Sequence, residues 1–184
     1  DWFYFIGALD KKTCNKIRNS AKNKWEVSGV NIKGGISKEE RITGEEHIHG
    51  IDKNIRISDI AWTKDQWIYD TVWPYMRKAN EEAGWKYDIR SAEGMQITRY
   101  KKGGFYFFHK DGKSDHLSKY NEPDNEFLHN NVRKLSMTVF LNNNYESGEF
   151  QFTQYKNEKC EILTPELNKR GTIIVFPAWL EHVV

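Results

Sequence analysis

The chain has 184 residues, 38% hydrophobic and 29% charged, which suffices for one domain with a real core but not for two ordinary ones. Its 28 basic and 26 acidic residues are interspersed and leave a net charge of +2, so no single-sign field exists for gripping nucleic acid. No apolar stretch is long enough to cross a bilayer, and the opening "DWFYFIGALD" lacks the basic start and small-residue cleavage site of a secretory signal. These features lead to the expectation of a cytoplasmic protein without a nucleic-acid or membrane partner.

Asp10 stands as an N-cap ahead of "KKTCNKIRNSAKNK", where Cys14, Ile17 and Ala21 recur at helical spacing. From Val27 to Asn54 the chain is polar and glycine-containing, which predicts a long loop or a ragged hairpin. Within it His47 and His49 alternate, but without a third ligand type at a usable spacing they read as solvated loop histidines. Thr63 caps a second helical stretch whose apolar stripe is Ile68, Val72, Tyr75, Met76, Ala79 and Ala83. Pro74 inside it predicts a kink or a break, and Gly84 ends it.

After Trp85 the pattern turns to short β-like runs: "WKYDI", "EGMQITRY", "FYFFHKD", "KLSMTVFLN", "GEFQFTQY", "CEIL" and "GTIIVFP". Helical and loop support over 1–84 and a β core over 85–184 together predict a single α+β domain that is mainly β. Cys14 and Cys160 stand far apart without neighbouring ligand types, so both read as buried thiols.

The chemistry gathers at "GGFYFFHKDG". On a strand, His109 and Asp111 point to one face, side by side at the end of an apolar run. A third ligand must come from another strand, and His182, 71 residues beyond Asp111, follows "GTIIVFPAWLE". Two imidazoles and one carboxylate select ferrous iron with open positions for co-substrate and oxygen. A zinc hydrolase would rarely pair His-x-Asp on a strand with one distant histidine.

The three segments "QITRYKKGGFYFFHKD", "RKLSMTVFLNNNYESGEFQF" and "GTIIVFPAWLEHVV" resemble, in order and spacing, the iron- and 2-oxoglutarate-dependent dioxygenases of the prolyl hydroxylase-like branch. The resemblance implies a double-stranded β-helix, or jelly roll, with His109, Asp111 and His182 on Fe(II). It also implies 2-oxoglutarate as co-substrate beside Tyr100, Ser136 and Thr138, with Phe140 where many relatives carry a tyrosine. Tyr106 and Trp179 are implied on the substrate side, although strict alternation would turn Phe107 rather than Tyr106 toward the iron, so a bulge is required.

The activity implied is hydroxylation of a C–H bond using O2, with release of succinate and CO2 and ascorbate as supporting reductant. A prolyl residue of a peptide or protein is the implied substrate. A free amino acid, another small molecule, or a non-catalytic jelly-roll binding module are the alternatives. Relatives hold the distal carboxylate of 2-oxoglutarate with a base about ten residues past the last histidine. Here the sequence stops at Val184, so the expectation is a truncated C-terminus, or else a base such as Arg99 or Lys134 in that role. The polar stretch 112–133 reads as a substrate lid or a plain solvated insertion.

Overall fold

The computed structural model describes residues 2–28, 30–31, 49–50, 53–156, 159–167 and 169–184. It opens on β1 (Phe3–Phe5) and α1 (Lys11–Ser20), whose first turn is closed by the Asp10 carboxylate accepting the Thr13 amide at 2.7 Å. Short strands β2 (Glu26–Val27), β3 (Val30–Asn31), β4 (His49–Gly50) and β5 (Arg56–Ile57) precede β6 (Asp59–Thr63) and α2 (Gln66–Glu82). Then come β7 (Met95–Arg99), β8 (Phe105–Tyr106), β9 (Leu135–Val139), β10 (Gln151–Lys156), β11 (Lys159–Leu163), β12 (Ile173–Pro177) and β13 (His182–Val183). β3 and β4 pair antiparallel, so two short segments near the ends of the long polar stretch meet. The His47 member of its histidine pair lies outside the described residues.

The first half of the chain is not only helix and loop. β1 pairs with β12, setting Phe3 opposite Val175, and β2, β6 and β7 form one sheet with Ala61 opposite Ile97. "DIAWT" shows no clean alternation because Ile60 and Ala61 are both buried, one on each face of β6. Conversely, "WKYDI" forms no strand. The Asn80 side chain takes the place of a partner strand there, donating to the Tyr87 carbonyl at 2.9 Å and accepting the Tyr87 amide at 3.0 Å.

α2 runs unbroken through Pro74, so of the kink or break expected there the break does not occur. An interior proline costs about 3 kcal/mol, whereas burying Ile68, Val72 and Met76 on one stripe returns about 1.5–3 kcal/mol for each side chain. The stripe wins. Gly84, at φ +74°, ends the helix in the left-handed conformation that a Cβ would disfavour.

β12 lies between β1 and β9 and is buried along its whole length. Ile173 and Val175 enter a cluster with Cys14 and Ile17 of α1, Ile68, Val72 and Met76 of α2, and Ile97 of β7. Ile174 and Phe176 enter a second cluster with Phe150, Phe152 and Leu167. This two-sided burial is why "GTIIVFP" reads as a continuous apolar run. β13 pairs with β10, and Phe152 stands opposite His182.

Candidate metal centre

A bulge builds the site. Tyr106 and Val184 exchange backbone hydrogen bonds at 2.9 and 3.1 Å, and His109 and His182 exchange a second pair at 3.0 and 2.9 Å. Three steps along one segment thus match two along the other, leaving an extra residue between the two bonded pairs. The extra residue returns Tyr106 to the His109 side, where their rings stack at 3.5 Å between centroids. Phe107 is turned outward and is 55% exposed. The Asp111 amide donates to the Ala178 carbonyl at 2.9 Å, which ties the carboxylate's backbone to the segment that carries His182.

One ligand atom from each of His109, Asp111 and His182 lies within 4.8 Å of the other two. The histidines are oriented alike. Nδ1 of His109 donates to the Phe107 carbonyl at 2.8 Å, and Nδ1 of His182 donates to the Leu180 carbonyl at 2.9 Å. A carbonyl only accepts, so each Nδ1 carries the proton and each Nε2 keeps its lone pair, the state a metal requires. Burial, reinforced by the neighbouring His182, pushes the His109 pKa down to about 4, which keeps that imidazole neutral. His182 is buried among Phe150, Phe152 and Phe176, with the Phe176 ring 4.9 Å away. This donor set fits a divalent metal in its number, its chemistry and its outer hydrogen bonds.

The carboxylate is fixed from two sides. The Ser136 hydroxyl donates to Asp111 Oδ2 at 2.5 Å, and Arg133 Nη1 lies 3.7 Å from Oδ1. Arg133 is itself gripped in two-pronged fashion by Glu93, with Nε to Oε1 at 2.8 Å and Nη2 to Oε2. Burial works against the Arg133 charge, yet the Glu93 carboxylate holds its pKa above the ordinary arginine value. Asp111 therefore retains an oxygen for a ligand while its orientation is set by the protein.

Tyr100, Tyr106, Ser136, Thr138 and Phe140 line one cavity of about 2320 Å³ with His109, Asp111 and His182. Burial pushes the Tyr100 phenol up to about 12, opposed by the charge of Arg56, so the phenol stays a neutral donor. Trp179 is placed differently, with its ring 5.0 Å from that of His116 in the 112–133 segment. That segment is internally bonded, since Tyr120 and Asn131 pair through backbone and the Asp115 carboxylate caps the Leu117 and Ser118 amides. Arg99 pairs with Asp59 at 2.7 Å, and Lys134 donates to the His116 carbonyl at 2.6 Å; both line the same cavity as the triad. Sequence reasoning missed Arg56, Glu93 and the Arg133 link to Asp111, for which no spacing rule exists.

Residues 95–184 match the model of the 2OG-Fe(II) oxygenase superfamily, 2OG being 2-oxoglutarate. That match supports an iron- and 2-oxoglutarate-dependent dioxygenase, and the fold is like that of prolyl hydroxylases. Its fold is similar to that of a prolyl-4-hydroxylase from Pseudomonas putida, at 16% identity and a TM-score of 0.58, covering 100% of this chain and 84% of that one. It is also similar to a prolyl hydroxylase from Trichoplax adhaerens in complex with a hypoxia inducible factor peptide fragment (14%, TM-score 0.62, 100% and 76% covered). The viral collagen prolyl hydroxylase of Paramecium Bursaria Chlorella virus-1, in its 2OG complex, aligns at 20% identity and a TM-score of 0.56 over 99% and 86%. No curated protein matches the chain in sequence. No helix among the described residues is long and apolar enough to cross a membrane.

Proposed function

We propose that the protein hydroxylates a prolyl residue of a peptide or protein, with His109, Asp111 and His182 as the ligands of Fe(II). The observation that carries this reading is the convergence of one ligand atom each from His109, Asp111 and His182 within 4.8 Å, with both Nε2 atoms left bare and the carboxylate anchored. At such a site, O2 and 2-oxoglutarate supply the oxidising power that replaces a substrate C–H with C–OH, with release of succinate and CO2, and ascorbate serves as supporting reductant.

The protein's own residues have separate tasks. Ser136, with Arg133, fixes the carboxylate, and the two backbone carbonyls fix the imidazoles. Tyr100 and Thr138 supply hydroxyls to the oxygen atoms of 2-oxoglutarate, and Ser136, its proton given to Asp111, lines the same cavity from the same face of β9. Tyr106 lies flat against His109 and offers a dry, aromatic flank to the substrate, while Trp179 meets it from its place against His116 of the 112–133 segment. The frame is read as a jelly roll whose outer face carries α1 and α2. Cys14 is buried and Cys160, against expectation, is exposed; both are free thiols, which suits a reducing compartment such as the cytoplasm.

The deciding experiment is anaerobic addition of Fe(II) and then 2-oxoglutarate, followed by visible spectroscopy. A weak charge-transfer band is expected; its absence would end the oxygenase reading. Succinate release in air, stimulated by proline-containing peptides but not by free proline, is expected next. The reverse preference would move the substrate from peptides to small molecules.

A further inference from the structure

Arg56 lies outside the matched segment 95–184, and its physical situation is unusual. It is 7% exposed and is the buried arginine or lysine among the described residues. Its Nε donates to the Ser58 hydroxyl at 2.9 Å, and its Nη2 donates to the Gln96 carbonyl oxygen at 2.7 Å and more weakly to Thr98 at 3.4 Å. All of these partners are neutral, and among the described residues no carboxylate lies within ion-pair distance of it. Arg133, on the same cavity, shows the contrast: it is more exposed and still has Glu93.

The Tyr100 hydroxyl is a further neutral partner, and withdrawing a guanidinium from water costs more than such neutral hydrogen bonds return. Such a group is retained where an anion completes it. Arg56 lines the cavity of the metal-binding triad, and its guanidinium carbon lies 4.4 Å from the centre of the Tyr106 ring, which stacks in turn on His109. Gln96 and Thr98 project from the same face of β7 to hold it, and Tyr100 follows them one step further along the chain.

We propose that Arg56 is a carboxylate receptor in the wall of the metal cavity. The proposal rests on the oxygenase reading of the triad. Two ligands bring that chemistry: 2-oxoglutarate, through its distal carboxylate, and a substrate that carries a carboxylate of its own.

The test uses the full chain loaded with Mn(II), and calorimetric binding of 2-oxoglutarate and of 2-oxobutanoate, which has the same chelating end without the distal carboxylate. Wild type is compared with Arg56→Gln, Arg56→Lys and Gln96→Glu. The last is close to isosteric, leaves Arg56 in place and gives it an internal counter-ion. It therefore decides the matter even where Arg56→Gln fails to fold.

If the carboxylate is the co-substrate's, Arg56→Gln and Gln96→Glu weaken 2-oxoglutarate by about tenfold to a hundredfold and leave 2-oxobutanoate unchanged, with Arg56→Lys intermediate. If it is the substrate's, 2-oxoglutarate affinity is unchanged. Acetate, compared with chloride at equal ionic strength, then raises the melting temperature of the wild-type Mn(II)–2-oxoglutarate complex saturably, and both variants lose that response. If neither effect is seen in either variant, the proposal is overturned. A wild type that fails to bind 2-oxoglutarate overturns the oxygenase reading instead, and acetate titration of the metal-free protein still reports on Arg56 alone.

Discussion

On one face of β12, Ile173 and Val175 lie among the aliphatic side chains of α1, α2 and β7; on the other, Ile174 and Phe176 lie among Phe150, Phe152 and the ring of His182. The two faces differ in kind. Aliphatic chains on the helix side fill space and withdraw apolar area from water, which is stabilisation without direction. Rings on the other side pack at defined angles, Phe150 nearly parallel to His182 at 21° and Phe176 tilted at 65°, and so fix where Nε2 points. One strand thus separates the part of the core that keeps the protein folded from the part that aims a ligand. Substitutions on the two faces should therefore fail in different ways.

The largest expected effect is on the ligand side. Asp111→Ala removes a carboxylate that Ser136 and Arg133 hold in place, and affinity for Mn(II) or Fe(II) should fall by about three orders of magnitude, since even outer partners of metal ligands are worth tenfold to a hundredfold. Asp111 is not in either apolar cluster, so the denaturation midpoint of the metal-free protein should barely move. Metal titration and urea unfolding of the same sample check both halves. Ile173→Ala should show the opposite pattern: a loss of about 2–5 kcal/mol in urea unfolding, with metal affinity of the folded protein unchanged. A large loss of metal affinity in Ile173→Ala would show that the two faces are mechanically coupled. Ser136→Ala sits between them, with an expected loss of about tenfold in metal affinity and little change in stability, read by the same two measurements.

What the sequence revealed follows the same division. Local signals were legible: the Asp10 cap, the Gly84 stop, the strands of the second half and the His-x-Asp pair each depend on residues a few positions apart. The distant partner His182 was legible because a long apolar strand points to it. Pairings across the chain were not. Nothing in "FYF" states that β1 will lie against β12, and nothing in "IRISD" states that Arg56 will be buried over Tyr106. The required bulge could be inferred from the conflict between Tyr106 and strand alternation, but its form depends on the register of 106–109 against 182–184. "WKYDI" has strand-forming residues, and a single asparagine side chain on α2 diverted it.

The smallest expected effect separates the two faces by titration, because the ligand side carries an imidazole and the helix side carries no group that titrates near neutrality. In the metal-free folded protein the His109 pKa is held near 4, below its ordinary value of 6.5, chiefly by burial. Between those values the unfolded chain binds the extra proton and the folded one does not, so stability rises with pH across that window. The contribution is fully present above about pH 6.5 and is lost as the pH falls toward 4. Melting temperature of the metal-free protein should decline through this range. His109→Phe keeps a ring against Tyr106 and removes the titration, so its profile should be flatter there. Ile173→Ala should lower the profile at every pH without changing its slope. An unchanged slope in His109→Phe would mean that the acid sensitivity arises elsewhere, and that the neutral state of this ligand is set by the metal rather than by the fold.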